Sequence, residues 1–133
     1  MAKEKLGRFQ VFTDTNRNTR VVAGIAKNGR IAISEGAYRT LGLEKAQYVL
    51  QLFDPDSRQI GLQLFEEKSR EGLVKLQRRK SSGGFIMAET FLKSYGILPD
   101  SATFYQLRRS PELPNVLIID LDKVVERSGK AMI

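Results

Sequence analysis

The chain has 133 residues, enough for one ordinary domain, with 41% hydrophobic residues to build a core and 28% charged residues to keep it soluble. It contains no histidine and no cysteine, which removes disulfides, thiolate and imidazole metal sites, and the Ser-His and Cys-His dyads of nucleophilic catalysis. The formal charge is +7; no apolar run approaches the roughly 20 residues of a membrane-spanning helix, and the charged start Met1-Ala2-Lys3-Glu4-Lys5 lacks the apolar centre of a signal peptide. The expected address is therefore cytoplasmic, with no membrane partner.

Residues 1–19 read as a basic, turn-rich N-terminal segment holding one strand candidate, Phe9-Gln10-Val11-Phe12. Residues 20–26 look extended, and Lys27-Asn28-Gly29-Arg30 supplies an Asn-Gly turn. Ile31-Ala32-Ile33 is a short strand. Ser34 suits the N-cap of a helical turn over residues 35–41, with Ala37, Leu41 and Tyr38 on its buried stripe. A hairpin follows: strands over 48–53 and 59–65 flank Asp54-Pro55-Asp56-Ser57, a type I turn sequence. Charged residues 66–72 link to a strand candidate over 73–76 and the cluster Arg78-Arg79-Lys80. After a second helical turn, strands over 103–107 and 116–121 repeat the hairpin across a longer loop containing Pro111 and Pro114.

Residues 29–43 and 83–97 align without a gap. Gly29/Gly83, Glu35/Glu89 and Gly42/Gly96 are identical, while Ile31/Phe85, Ile33/Met87, Arg39/Lys93 and Leu43/Ile97 agree in character. Each copy reads as a strand entered through glycine, a helical turn and a glycine exit. A unit this small cannot bury its apolar face alone, so the copies are expected to pack on each other. The expected fold class is mostly β with short helices: a small β-barrel built from two β-β-α-β-β repeats. The expected organisation is a single domain over 20–125, with repeats at 20–66 and 73–121 and a short tail at 126–133.

The charge is unevenly placed. Residues 1–30 carry seven Lys/Arg against two acids and residues 67–95 seven against three. Residues 31–66 hold three against five, and residues 96–133 are balanced. The excess thus sits in the stretches that contain or lead into the repeated strands, which favours a bipartite basic surface for a polyanion. Solubility alone is the blander account of such runs.

Catalytic chemistry is poorly provided for. General acid–base work would fall to Asp, Glu, Lys or Tyr. Asp54 and Asp56 are better read as turn formers, Asp120 and Asp122 as solvated or paired, and Gly83-Gly84 lacks the Gly-Lys-Ser/Thr of a phosphate loop. No enzyme activity, cofactor or metal site is expected. The functional signal lies in Arg20, Lys27, Arg30, Arg39, Arg78, Arg79, Lys80 and Lys93. Arginine suits phosphate because its planar fork donates two parallel hydrogen bonds. Arg108-Arg109 is either a further contact or a solvated hairpin tip.

Gly29-Arg30, the strand 31–33, Arg39-Thr40-Leu41-Gly42-Leu43 and the hairpin ending at Phe65 match, in order and spacing, the pattern of the AbrB-type (SpoVT/AbrB) DNA-binding domain, which the chain resembles. The two copies in one chain are similar to the MraZ-type arrangement. The resemblance implies a barrel of interlocked hairpins and carries Arg30 and Arg39 over as DNA contacts. Ser34 stands where the family usually has proline, and Gly84 replaces Arg30 in copy two, so the copies would contribute unequally. The leading expectation is a DNA-binding protein, a transcriptional regulator or architectural factor. A single-stranded nucleic-acid binder is the second reading, with aromatics such as Tyr48, Phe53, Phe85, Tyr95, Phe104 and Tyr105 as stacking platforms, although core packing is the plainer role for most. A protein-interaction module, such as an antitoxin or a phage or plasmid accessory factor, is the third. Homo-oligomerisation stays open.

Overall fold

The computed structural model describes residues 5–6, 8–10 and 20–125. Lys5–Leu6 (β1) and Phe9–Gln10 (β2) pair as a separate two-stranded ribbon. The rest of the strand expected over 9–12, the turn-rich run after it and the tail at 126–133 lie outside the described residues.

From residue 20 the chain forms β3 (Val22–Ile25), β4 (Arg30–Ile33), α1 (Glu35–Leu41), β5 (Tyr48–Asp54), β6 (Gln59–Phe65), β7 (Leu73–Lys75), β8 (Gln77–Arg78), β9 (Gly84–Met87), α2 (Glu89–Ser94), β10 (Thr103–Arg109) and β11 (Val116–Val125). β3 to β11 build one antiparallel sheet in the order β7-β5-β6-β11-β10-β3-β4-β9-β8. The sheet curls into a nearly closed barrel. Its two edge strands, β7 and β8, are consecutive in the chain and close it as one split strand. β7 pairs with β5 (Val74 opposite Val49), and β8 pairs with β9 (Gln77 opposite Phe85). Between them Leu76 is buried, and its N–H donates to the Gln47 carbonyl at 2.9 Å. The fold is thus mostly β with short helices, a small barrel of two β-β-α-β-β repeats.

The repeats interleave. The β3–β4 hairpin lies between β10 and β9, and the β5–β6 hairpin between β7 and β11. Inward positions of both repeats fill one core: Ile31, Ile33, Ile60, Leu62, Ile86, Leu117 and Ile119 are each at most 1% exposed. Burial of such side chains stabilises by about 1.5–3 kcal/mol apiece.

Both helices are short, seven and six residues, and run between fixed ends. Ser34 caps α1, with backbone at φ −66° and ψ 156° and its hydroxyl accepting the Ala37 N–H at 3.1 Å. Gly42 ends α1 in the left-handed region at φ 66°, and Gly96 takes φ 64° after α2. The closing bonds repeat as well: the Leu43 N–H donates to the Tyr38 carbonyl, and the Ile97 N–H to the Leu92 carbonyl.

One expected equivalence fails. Ile31 opposes Ile86, and Ala32 opposes Phe85. Directly opposed residues share a face, so Ile86 joins Ile31 inside while Phe85 and Met87 face outward. The sequence repeat holds for the turns and helices, but the pleat of β9 is one residue out of phase with that of β4.

Candidate nucleic-acid interface

The outer face of the sheet is built across five strands by the ladder register. Phe104 on β10 opposes Gly24 on β3, Gly24 opposes Ala32 on β4, Ala32 opposes Phe85 on β9, and Phe85 opposes Gln77 on β8. This row sets two outward aromatic rings either side of two small residues. Phe104 lies so close over Gly24 that a Cβ there would sit 2.9 Å from the ring.

Arginines cover both rings. The Arg30 guanidinium carbon lies 4.1 Å from the Phe85 ring centre and that of Arg79 lies 4.8 Å from it. Phe85 is consequently only 8% exposed although it points away from the core. Arg20 lies over Phe104 at 6.0 Å, and its carbonyl accepts the Ser34 hydroxyl. Stacking of this kind is worth about 0.5–2 kcal/mol per pair and holds the planar fork of arginine in a fixed pose. Arg30 Nε is buried without a hydrogen-bond partner among the described residues. Among the described residues, no carboxylate forms an ion pair with Lys27, Arg30, Arg79 or Lys80. Lys27, in the β3–β4 turn, and Lys80, in the β8–β9 turn, are exposed at opposite ends of the β4–β9 ladder. Met87, 46% exposed, stands opposite Arg30 on the same face.

Three of the expected contacts are paired with carboxylates. Arg78 is turned inward, a correction to its place in the basic cluster. Its Nη1 donates to Glu35 Oε1 at 2.6 Å and Nη2 to Glu35 Oε2 at 3.0 Å, while Glu44 takes Nη2 at 2.6 Å and Nε at 3.2 Å. Nη1 also donates to the carbonyls of Arg79 and Gly83, and the guanidinium lies 4.0 Å from the Tyr38 ring centre. Every donor group is taken, so Arg78 has no free edge for a phosphate. Arg39 is 55% exposed and pairs with Glu35 Oε2 at 3.5 Å. Lys93 pairs with Glu89 at 3.8 Å on α2.

The Glu35 centre is the strongest electrostatic feature. Its carboxylate also accepts the Gly83 N–H at 2.9 Å. The Arg78 fork and that amide hold the Glu35 carboxyl down at about 2, while the same pairing raises Arg78. Burial pushes the Tyr38 hydroxyl up to about 12, and this hydroxyl has no hydrogen-bond partner among the described residues. Among the described residues, no group of three or more acids is placed to hold a metal ion, and no helix is long and apolar enough to cross a membrane.

Sequence reasoning named Phe85 and Phe104 as stacking platforms for bases but missed them as supports for Arg30, Arg79 and Arg20, and missed Glu35 as the anchor of Arg78. The run Gly84-Phe85-Ile86-Met87 is apolar on both faces, so only the ladder register reveals its phase. No local spacing links Glu35 to Arg78. No family model matches the sequence, and neither a curated protein nor a solved structure matches it.

Proposed function

We propose that the chain binds duplex DNA through the outer face of β8, β9, β4, β3 and β10, as a transcriptional regulator or architectural factor. The observation that carries this reading is the pair of guanidiniums, Arg30 and Arg79, stacked on Phe85 with no carboxylate among the described residues paired to them. A cation held in place by a ring loses little rotamer freedom when it meets a phosphate. Lys27 and Lys80 extend the positive face along the ladder, and Arg20 extends it across β3. The resemblance of residues 29–43 to the AbrB-type pattern points the same way, and Arg39 keeps more than half of its side chain exposed for the role that pattern implies. Duplex is favoured over single strands because the Phe85 ring is already covered by arginine and has little surface left for a base to stack on.

The test is a titration of duplex DNA, single-stranded DNA and RNA across a salt series. Duplex DNA should bind most tightly, with the logarithm of affinity falling linearly with the logarithm of salt. The double change Arg30→Ala and Arg79→Ala should flatten that slope by about two units. A folded double variant with unchanged duplex affinity and slope overturns the reading, and tighter binding of single strands favours the stacking alternative.

A further inference from the structure

Half-way round the barrel from β4, the outer face of β5, β6, β11 and β10 is apolar at its centre. Leu52 opposes Gly61, and Gly61 opposes Ile118. Gly61 contributes no side chain, and Leu52 and Val116 lean over it, 3.2 and 3.5 Å from where a Cβ would stand. These residues floor a groove of about 410 Å³, walled by the loop between β10 and β11. On that wall Leu113 is 53% exposed, a large apolar side chain standing beside a hollow whose floor is apolar and whose rim, with Asp54, Gln59 and Ser110, is polar. Arg108, opposite Ile118 on the same face, and Glu112, on the wall, both line the groove. Among the described residues neither forms an ion pair.

We propose that this face docks a second copy of the chain in a two-fold arrangement. A two-fold interface needs one patch that is complementary to itself. Here the patch carries both a projecting leucine and a hollow, and both a cation, Arg108, and carboxylates, Glu112 and Asp54, that form no ion pair among the described residues. In the pair, Leu113 of each copy enters the groove of the other, and Arg108 of each faces Glu112 of the other. An unrelated peptide would use the hollow and leave the projecting leucine in water. The proposed DNA face shares only β10 with this one, with Phe104 near one end of that strand and Arg108 near the other, so pairing leaves Arg30 and Arg79 open in both copies.

Sedimentation equilibrium of the whole chain from about 1 to 100 µM should show the mass of a dimer at the upper end. Leu113→Glu, at an exposed loop position, should leave the circular dichroism unchanged and weaken dimerisation by about tenfold or more. Arg108→Glu and Glu112→Arg should each weaken it, and the two together should restore it. Two results overturn the proposal. One is a monomer throughout the range, which leaves the groove to a different partner. The other is a dimer that neither Leu113→Glu nor the charge reversals disturb, which places the interface elsewhere.

Discussion

The junctions at α1 and α2 start from the same sequence skeleton and are held by different forces. At each, the glycine turn of one repeat packs against the helix start of the other: Gly83 under Glu35, and Gly29 under Glu89. At α1 the contact is polar and closed. Glu35 is 5% exposed, binds the Gly83 amide and is clamped by Arg78, while Arg109 donates to the Leu41 carbonyl at the far end of the helix. At α2 the matching Glu89 is 52% exposed and, among the described residues, forms an ion pair with Lys93 alone. Leu92 is buried where α1 has Tyr38, and Tyr95 stacks with Phe53 and Phe91 at ring separations of 4.8 and 5.4 Å where α1 has Arg109 on Leu41. An identical glutamate is thus a structural anchor in one copy and a surface residue in the other. The deciding partner, Arg78, comes from the split strand that closes the barrel, and its repeat counterpart is Gly24.

The feature common to both junctions should give the largest effect. A Cβ at Gly83 would lie 1.9 Å from the Ile33 carbonyl oxygen, and one at Gly29 would lie 2.4 Å from Glu89 Cα, both with φ well inside the left-handed region. Gly83→Ala and Gly29→Ala should each lose about 3 kcal/mol or more in urea denaturation. A loss at one position only would show that the junctions share less than their geometry implies.

The glutamates should then separate the two. Glu35→Gln leaves the Arg78 fork without its main partner and should lower the melting temperature by on the order of 10 °C. Glu89→Gln should shift it by no more than about 2 °C. Comparable shifts would dissolve the contrast.

Acid should single out α1 in the same way. Glu35 ordinarily titrates near 4.5 and is held at about 2 in the folded chain. A lowered folded value means stability that is complete above pH 4.5 and lost as the pH falls towards 2. Unfolding free energies measured across that window should drop for the wild type and flatten for Glu35→Gln. Parallel curves would remove Glu35 from the acid response.

The smallest expected difference lies in the caps. Ser34→Ala should lose about 1 kcal/mol, since its hydroxyl serves the Ala37 and Val22 amides and the Arg20 carbonyl. Ala88, which begins α2 with no side-chain cap, has nothing comparable to lose.

Local signals made the elements legible. Ser34 as a cap, Gly42 as an exit and Asp54-Pro55 as a turn each act within four residues, and α1 and β6 fall where those signals place them. The closing strand was half visible: residues 73–76 read as extended, but their division between β5 and β9 depends on where two distant hairpins end. The candidate site divides along the same line. Arg30 beside a turn glycine is readable from the chain, whereas its seat on Phe85 depends on the phase of β9. The inward turn of Arg78 depends on Glu35, 43 positions away.

The interleaved strand order has a consequence for the order of events during synthesis. Neither hairpin of the first repeat touches the other in the sheet; every outer neighbour of both comes from the second repeat. While the ribosome is still making residues beyond 66, the first repeat can form its two hairpins but no shared core. Its apolar faces must wait for β9, β10 and β11, and the ring is completed only when β7 and β8 settle between β5 and β9. Assembly is therefore governed by non-local contacts, which slow folding and lengthen the time that unpaired strand edges meet solvent. Every strand as far as β11 has to emerge before the barrel can be finished.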